Sequence, residues 1–209
     1  MHINDIFYSI QGEGKLSGLP TIFIRTAGCN LRCNYCDTTE AYQKGTEHSI
    51  DEIIGKIRAF NCNMVCITGG EPLLQKQIYS LIDHLIDNHY HCSIETNGSI
   101  NIKQLTEFEP LLISMDLKCP CSQMHNQNKL ENIALLRKQD QLKCIIETVE
   151  DYQYAKNILQ HYQPVCTRYM QPVWGSSVED LADRILKDNL SVRLGIQLHK
   201  IIWGNQRSR

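Results

Sequence analysis

Thr21-Ile-Phe-Ile-Arg-Thr26-Ala-Gly-Cys29-Asn-Leu-Arg-Cys33-Asn-Tyr-Cys36 reads as a β-branched strand, Thr21–Thr26, that runs directly into a loop carrying three cysteines. The same order recurs along the chain: a short apolar run, a cluster of unusual residues, then a helical pattern. Met64–Thr68 is the next strand, leading into Gly69-Gly70-Glu71-Pro72 and a helix through about Asn88. His91–Glu95 leads into Thr96-Asn97-Gly98, and Leu111–Asp116 leads into Leu117-Lys118. Leu142–Glu147, Thr167–Gln171 and Ser191–Ile196 complete the predicted strands. Helical patterns lie between most of them, notably at Asp151–His161 and Val178–Asn189. Another follows Ser49-Ile50-Asp51-Glu52, which has the form of a capping box, with Ile53, Ile54 and Ile57 on one face.

Such alternation predicts a mostly parallel α/β sheet with helices outside. At 209 residues the chain is short for a complete eight-unit barrel of roughly 250 residues. The expectation is therefore an incomplete, splayed βα barrel in one domain spanning residues 1–209. Because the unusual residues all follow strands, and parallel α/β folds place ligands at the carboxyl ends of strands, these segments are expected to form one site.

Composition narrows the class. An apolar fraction of 42% suits a globular core and excludes a disordered chain. With 21 basic against 23 acidic residues the formal net charge is -2, which argues against a long polyanion, so no nucleic-acid partner is expected. The start, Met1–Ile10, lacks the pattern of a secretory signal, and no run approaches the roughly 18 apolar residues of a membrane span. The expected location is the cytoplasm, with no membrane partner. Ten cysteines in that reducing setting point to metal or redox chemistry rather than disulfides.

Cys29, Cys33 and Cys36 supply three soft ligands within eight positions, a spacing that wraps one iron–sulfur cubane. An electron-transfer cluster or a structural zinc would normally take four protein ligands, and here the next cysteine is Cys62, beyond a predicted helix. Three ligands leave one iron open to a substrate or cofactor. The competing reading is a zinc knuckle closed by a distant residue such as His48 or Cys62, hence a noncatalytic zinc module or electron carrier. Elsewhere, Gln11-Gly12-Glu13-Gly14 gives a loop with exposed backbone groups and one fixed anion, suited to a flat heterocycle with an amidine-like edge. Arg25, four residues before the first cysteine, can hold a carboxylate in a bidentate pair. His199, after the last predicted strand, belongs at the same end of the sheet.

The CxxxCxxC loop followed by the Gly-Gly-Glu-Pro turn resembles the radical SAM (S-adenosylmethionine) superfamily, over a span from Gln11 to His199. The resemblance implies a [4Fe–4S] cluster on Cys29, Cys33 and Cys36 whose open iron takes the amino and carboxylate groups of SAM. Reductive cleavage then gives methionine and a 5′-deoxyadenosyl radical. Gly70 and Glu71 match the methionine-binding turn. Tyr35, Asp37, Glu95, Asp116, Lys118, Gln171 and Trp174 match further SAM-binding positions, with Tyr35 near the adenine or simply packed.

Together the segments 9–14, 23–38, 68–72, 95–98, 116–120, 170–174 and 196–200 are similar to the 7-carboxy-7-deazaguanine synthase family. That resemblance implies a carbon–nitrogen lyase of queuosine and 7-deazapurine biosynthesis, acting on 6-carboxy-5,6,7,8-tetrahydropterin with loss of ammonia. It places the substrate on Ile10, Gln11, Gly12, Glu13, Arg25, Thr68 and His199, and Mg²⁺ on Thr38. It further implies a homodimer and a flavodoxin-type reductant. Some members carry Ser-Pro-Lys where this chain has Asp116-Leu117-Lys118, and the tail 200–209 runs past the end of others. Cys119 and Cys121 are read as packing thiols rather than ligands of a second cluster. The nearest alternative enzyme is a glycyl-radical-enzyme activase, which would share the cysteines but not need the Gln11–Gly14 loop or Arg25.

Overall fold

In the computed structural model, which describes residues 1–43, 45–206 and 208, nine strands form one sheet in the order β3-β1-β2-β4-β5-β6-β7-β8-β9. Arg207 and Arg209 of the tail lie outside the described residues. The strands are β1 (His2–Ile10), β2 (Pro20–Thr26), β3 (Thr46–Glu47), β4 (Met64–Gly69), β5 (His91–Thr96), β6 (Leu112–Leu117), β7 (Gln141–Ile146), β8 (Thr167–Pro172) and β9 (Arg193–Leu194). From β2 onward every pairing across the sheet is parallel, while β1 pairs antiparallel with both β2 and β3. The two edges, β3 and β9, do not meet, so the sheet is an unclosed barrel as expected.

The helices are α1 (Ile50–Ile57), α2 (Ile78–Asp87), α3 (Val149–Tyr162), α4 (Val178–Lys187) and α5 (Leu198–Trp203). The capping box at Ser49 is present: its hydroxyl accepts from Glu52 N while the Glu52 carboxylate accepts from Ser49 N, satisfying two donors that an uncapped helix would leave orphaned. Thr148 and Asp151 do the same for α3.

Strand alternation assigns the two faces of the sheet. Ile22, Ile24, Val65, Ile67, Ile94, Ile113, Met115, Leu142, Cys144 and Met170 join one core cluster with Ile53, Ile57, Leu81, Leu85, Ala155 and Ile185 of the helices. Fully burying such a side chain contributes roughly 1.5–3 kcal/mol, which makes this face the main source of stability. The intervening residues, among them Phe23, Arg25, Thr68, Glu95, Asp116, Lys143 and Gln171, line a cavity on the opposite face. A parallel sheet covered by helices on both sides would be apolar on both. Here only one face is, and the other is reserved for ligands.

One expectation needs correction. The predicted strand Ser191–Ile196 is only Arg193–Leu194, an edge element paired on one side. The amino-terminal strand β1 and the short helix α5 were not foreseen. Between β5 and β6, and between β6 and β7, the connections are 3₁₀ turns rather than α-helices. Side chains replace the missing helical packing there. Asp140, wholly buried, accepts from Ile113 N and from Arg137, whose guanidinium also donates to the carbonyls of Thr106, Phe108 and Leu111. Asn132 bonds Gly98 O, Ile100 O and Ile102 N, and so fixes the loop after β5.

Candidate active site

A cavity of about 710 Å³ opens at the carboxyl ends of the parallel strands, within the size range of small-molecule sites. The cluster loop after β2 forms one wall. Leu31, 2% exposed, anchors it in the interior. Arg32 donates to the carbonyls of Cys29 and Leu31, and Asn34 bonds the carbonyls of Cys121 and Ser122. Cys29, Cys33 and Cys36 are all free thiols that line the cavity. Leu31 N lies 3.5 Å from Cys29 Sγ, and Asn97 Nδ2 at 3.9 Å, donors that favour a thiolate. Burial raises the Cys29 and Cys33 thiols from their ordinary value, so a proton held on sulfur must give way to iron.

Backbone alone fits between this loop and the turn after β4. A β-carbon on Gly69, which sits at φ 142, would lie 2.2 Å from Thr26 O, and one on Gly70 2.0 Å from Gly28 O. Only glycine permits that approach. Glu71 behaves differently from expectation: its side chain is fully buried and is not part of the cavity lining. It accepts from Leu73 N, Thr96 Oγ1 and Asn97 N, tying the turn after β4 to the loop after β5. Burial outweighs those three bonds and pushes its carboxyl up to about 7.

All other residues predicted for the site line this one cavity. Ile10, Gln11, Gly12 and Glu13 approach from the end of β1. A β-carbon on Gly12 would lie 1.9 Å from His199 Nδ1, so His199 packs directly on that glycine. Leu198 N donates to Gly12 O at 2.9 Å and Gln197 Nε2 to Glu13 Oε1 at 2.9 Å, so α5 closes over the loop. Arg25 and Thr68 are register partners on adjacent strands. The Arg25 guanidinium lies 5.3 Å from the Phe7 ring centre and donates to Thr38 Oγ1 at 3.3 Å. Thr38 in turn donates to Asp37, whose carboxylate pairs with Lys200 at 3.1 Å.

On the far side lie Tyr35, Glu95, Asp116, Lys118, Gln171 and Trp174. Lys118 binds Asp116 Oδ2 at 2.7 Å. Among the described residues, Tyr35 Oη and Gln171 Oε1 are buried with no hydrogen-bond partner, which is costly unless a ligand completes them. Trp174 is 46% exposed at the rim. Three soft thiols, side-chain-free backbone beside them and unpaired polar atoms across the cavity fit a cluster and SAM.

Sequence reasoning missed several lining residues. Lys143 is buried and bridges three carboxylates, Glu13, Glu95 and Asp116. Phe7 and Phe23 stack with ring centres 5.0 Å apart. Trp203 through Gln206 extend the wall beyond His199. The alternation of β2 would have placed Phe23 with Arg25, but nothing local marks Lys143. Cys119 lies in the core, and the Cys121 thiol donates to Glu147.

The chain belongs to the radical SAM superfamily, whose family model matches residues 23–149. It is thus a SAM-dependent iron–sulfur enzyme. Within that class it belongs with the 7-carboxy-7-deazaguanine synthases. It is 38% identical over 205 residues to the enzyme of that name from Thermoplasma acidophilum, covering 98% of both chains. To that of Methanospirillum hungatei it is 41% identical over 204 residues, covering 97% of this chain and 85% of the relative. The fold is similar to the crystal structure of QueE from Escherichia coli, with a TM-score of 0.79 at 23% identity over 95% of this chain and 94% of that one. These relatives do not favour the glycyl-radical activase reading.

Proposed function

We propose that this chain converts 6-carboxy-5,6,7,8-tetrahydropterin to 7-carboxy-7-deazaguanine with loss of ammonia, in the route to queuosine and related 7-deazapurines. The observation that carries the reading is that Gln11, Gly12 and Glu13, Arg25 and the three thiols of the cluster loop line one cavity. When bound, the cluster and SAM supply the one-electron chemistry that removes a hydrogen atom from the substrate.

The residues of the chain bind and orient. Burial raises the Glu13 carboxyl but Lys143 overcomes it, leaving the group below its ordinary value and ionised. As a carboxylate it accepts from the amidine edge of the pterin, with backbone groups of Ile10, Gln11 and Gly12 beside it. Arg25 takes the substrate carboxylate in a charge-assisted pair, Thr68 adds a hydroxyl next to it, and His199 closes the substrate half. The Phe7–Phe23 stack gives that half an apolar wall. Thr38 offers a hard oxygen for Mg²⁺, which would steer the rearrangement.

In the other half, Cys29, Cys33 and Cys36 hold the cluster. Backbone at Gly70 meets the methionine part of SAM, with Glu71 positioning that turn from behind. Tyr35, Asp37, Glu95, Asp116, Lys118, Gln171 and Trp174 are the remaining SAM contacts. The reading includes a single domain over residues 1–209, a homodimer, a flavodoxin-type reductant and a cytoplasmic location without nucleic-acid partners. Among the described residues no helix is long and apolar enough to cross a membrane.

Product analysis tests the activity. The anaerobically reconstituted chain, given SAM, Mg²⁺, a reductant and the tetrahydropterin, is expected to release 7-carboxy-7-deazaguanine and ammonia. SAM cleavage with no deazaguanine product would overturn the assignment.

A further inference from the structure

Lys143 lies in β7, an inner strand paired on both sides, between Leu142 and Cys144, which both face the helices. Its side chain is 5% exposed, and its ammonium stands 2.8 Å from Glu13, 2.8 Å from Glu95 and 3.3 Å from Asp116. These carboxylates come from three separate segments: the loop after β1, the end of β5 and the end of β6. Asp116 is shared, since Lys118 holds its second oxygen. Glu95 has a further donor in Ser114. Among the described residues Glu13 has no second cation, only the neutral amide of Gln197.

We propose that Lys143 is a positioning residue for the substrate, aiming the Glu13 carboxylate so that both of its oxygens accept from the amidine edge of the pterin. The inference rests on the assignment of Glu13 to substrate recognition made above. One Glu13 oxygen takes Lys143 and the other Gln197, and each carboxylate oxygen retains a free lone-pair direction for the ligand. The groups facing Glu13 are Lys143 from β7, Asp116 from β6 with Lys118 behind it, Glu95 from β5, and Gln197 and His199 at α5. Of these the acids favour a protonated Glu13, as does burial, and Lys143 is the main opposing force. His199 is itself held below its ordinary value by burial, so it contributes little positive charge at neutral pH. A protonated Glu13 would convert one acceptor into a donor facing substrate N–H groups, a mismatch rather than a weakened bond.

The consequence is a pH signature that a purely structural lysine would not show. With Lys143 in place, Glu13 stays ionised through the neutral range. Without it, only the Gln197 hydrogen bond opposes burial and Asp116, and substrate binding requires a deprotonation pushed upward toward that range.

The test is equilibrium binding of 6-carboxypterin, an air-stable analogue, to the reconstituted full chain from about pH 6 to about pH 9. The readout is the ratio of variant to wild-type affinity, which cancels the analogue's own ionisation. Lys143→Met is expected to bind about tenfold or more weakly at the acid end, the scale of one charge-assisted hydrogen bond, and to recover as pH rises. Lys143→Arg should keep the ratio flat. In a Glu13→Gln background, Lys143→Met should add no pH dependence. If Lys143→Met fails to fold, Lys143→Gln carries the same expectation. A ratio independent of pH in the neutral variants, or wild-type affinity in them, overturns the inference. Failure of the wild type itself to bind the analogue would instead overturn the substrate assignment.

Discussion

Gly70 presses against Cys29 so closely that a β-carbon on the glycine would lie 2.8 Å from Cβ of the cysteine, and 2.0 Å from the Gly28 carbonyl. The Glu71 amide, bonded to that same carbonyl at 2.8 Å, holds the two segments together. The position of a cluster thiol therefore depends on the absence of a side chain some forty residues later in the sequence. Gly70→Ala should lower iron and sulfide content per chain after anaerobic reconstitution and cost about 1–3 kcal/mol of stability through overpacking. Full cluster content in that variant would mean the two backbones separate without consequence.

Cys33→Ala should abolish cluster assembly and SAM cleavage. Because Cys33 is only half-buried and lies outside the core cluster, far-UV dichroism and the urea midpoint of the apoprotein should stay within about 1 kcal/mol of wild type. An iron-replete, active variant would remove Cys33 from the ligand set.

Arg25→Ala should raise KM for the pterin by roughly 10- to 100-fold, the loss of a charge-assisted pair, with SAM affinity little changed. Arg25 stands over Phe7 and beside Thr38 rather than at the Gly70 turn. A fall in SAM affinity with an unchanged pterin KM would move it to the cofactor half.

Glu71 predicts a pH effect on folding. Its carboxyl is raised to about 7 from its ordinary 4.5, so between those values the folded chain holds a proton that the unfolded chain has released. Stability contributed by this group is therefore highest below about pH 4.5, falls as pH rises toward about 7, and is level above that. Glu71→Gln mimics the protonated form. Urea titrations of the apoprotein from acid to neutral pH should show the variant gaining on wild type as pH rises, and a constant difference would refute the raised value.

Asp140 is the counter-charge of the connection that replaces a helix between β6 and β7. Asp140→Ala leaves the Arg137 guanidinium without its acid and Ile113 N without its acceptor. The expected loss is about 3–5 kcal/mol in urea unfolding, the scale for breaking one partner of a buried pair. A loss under 1 kcal/mol would show that solvent takes over both roles.

The legible parts of this protein were those whose information is local. Ser49 and Glu52 mark a helix start three residues apart, and β4 to β8 are short segments with core-facing apolar residues, bounded by turns. Cluster ligands are legible for the same reason, since three thiols within one loop need no tertiary partner to suggest their chemistry. β1 was missed because its pairing with β2 shifts register between Ile3 and Asp5, which breaks the simple alternation. β9 was overextended because at an edge only one neighbour supplies ladder bonds. Lys143 could not be read at all. In isolation a lysine alternating with Leu142 and Cys144 describes a strand with one wet face, and only the assembled sheet brings Glu13, Glu95 and Asp116 to its ammonium. Glu71 shows the reverse: its neighbours suggested a ligand contact, but the fold turns its carboxylate inward.

The polar inner face of the sheet also acts before any ligand arrives. In a strand, a slip of one residue exchanges the two faces. A slipped β7 would drive the Lys143 ammonium among the isoleucines beneath the helices and strand Glu13 and Glu95 without their cation. Charges that serve the mature pocket thus penalise misaligned strands while the chain is folding, and an all-apolar β7 would lose that check.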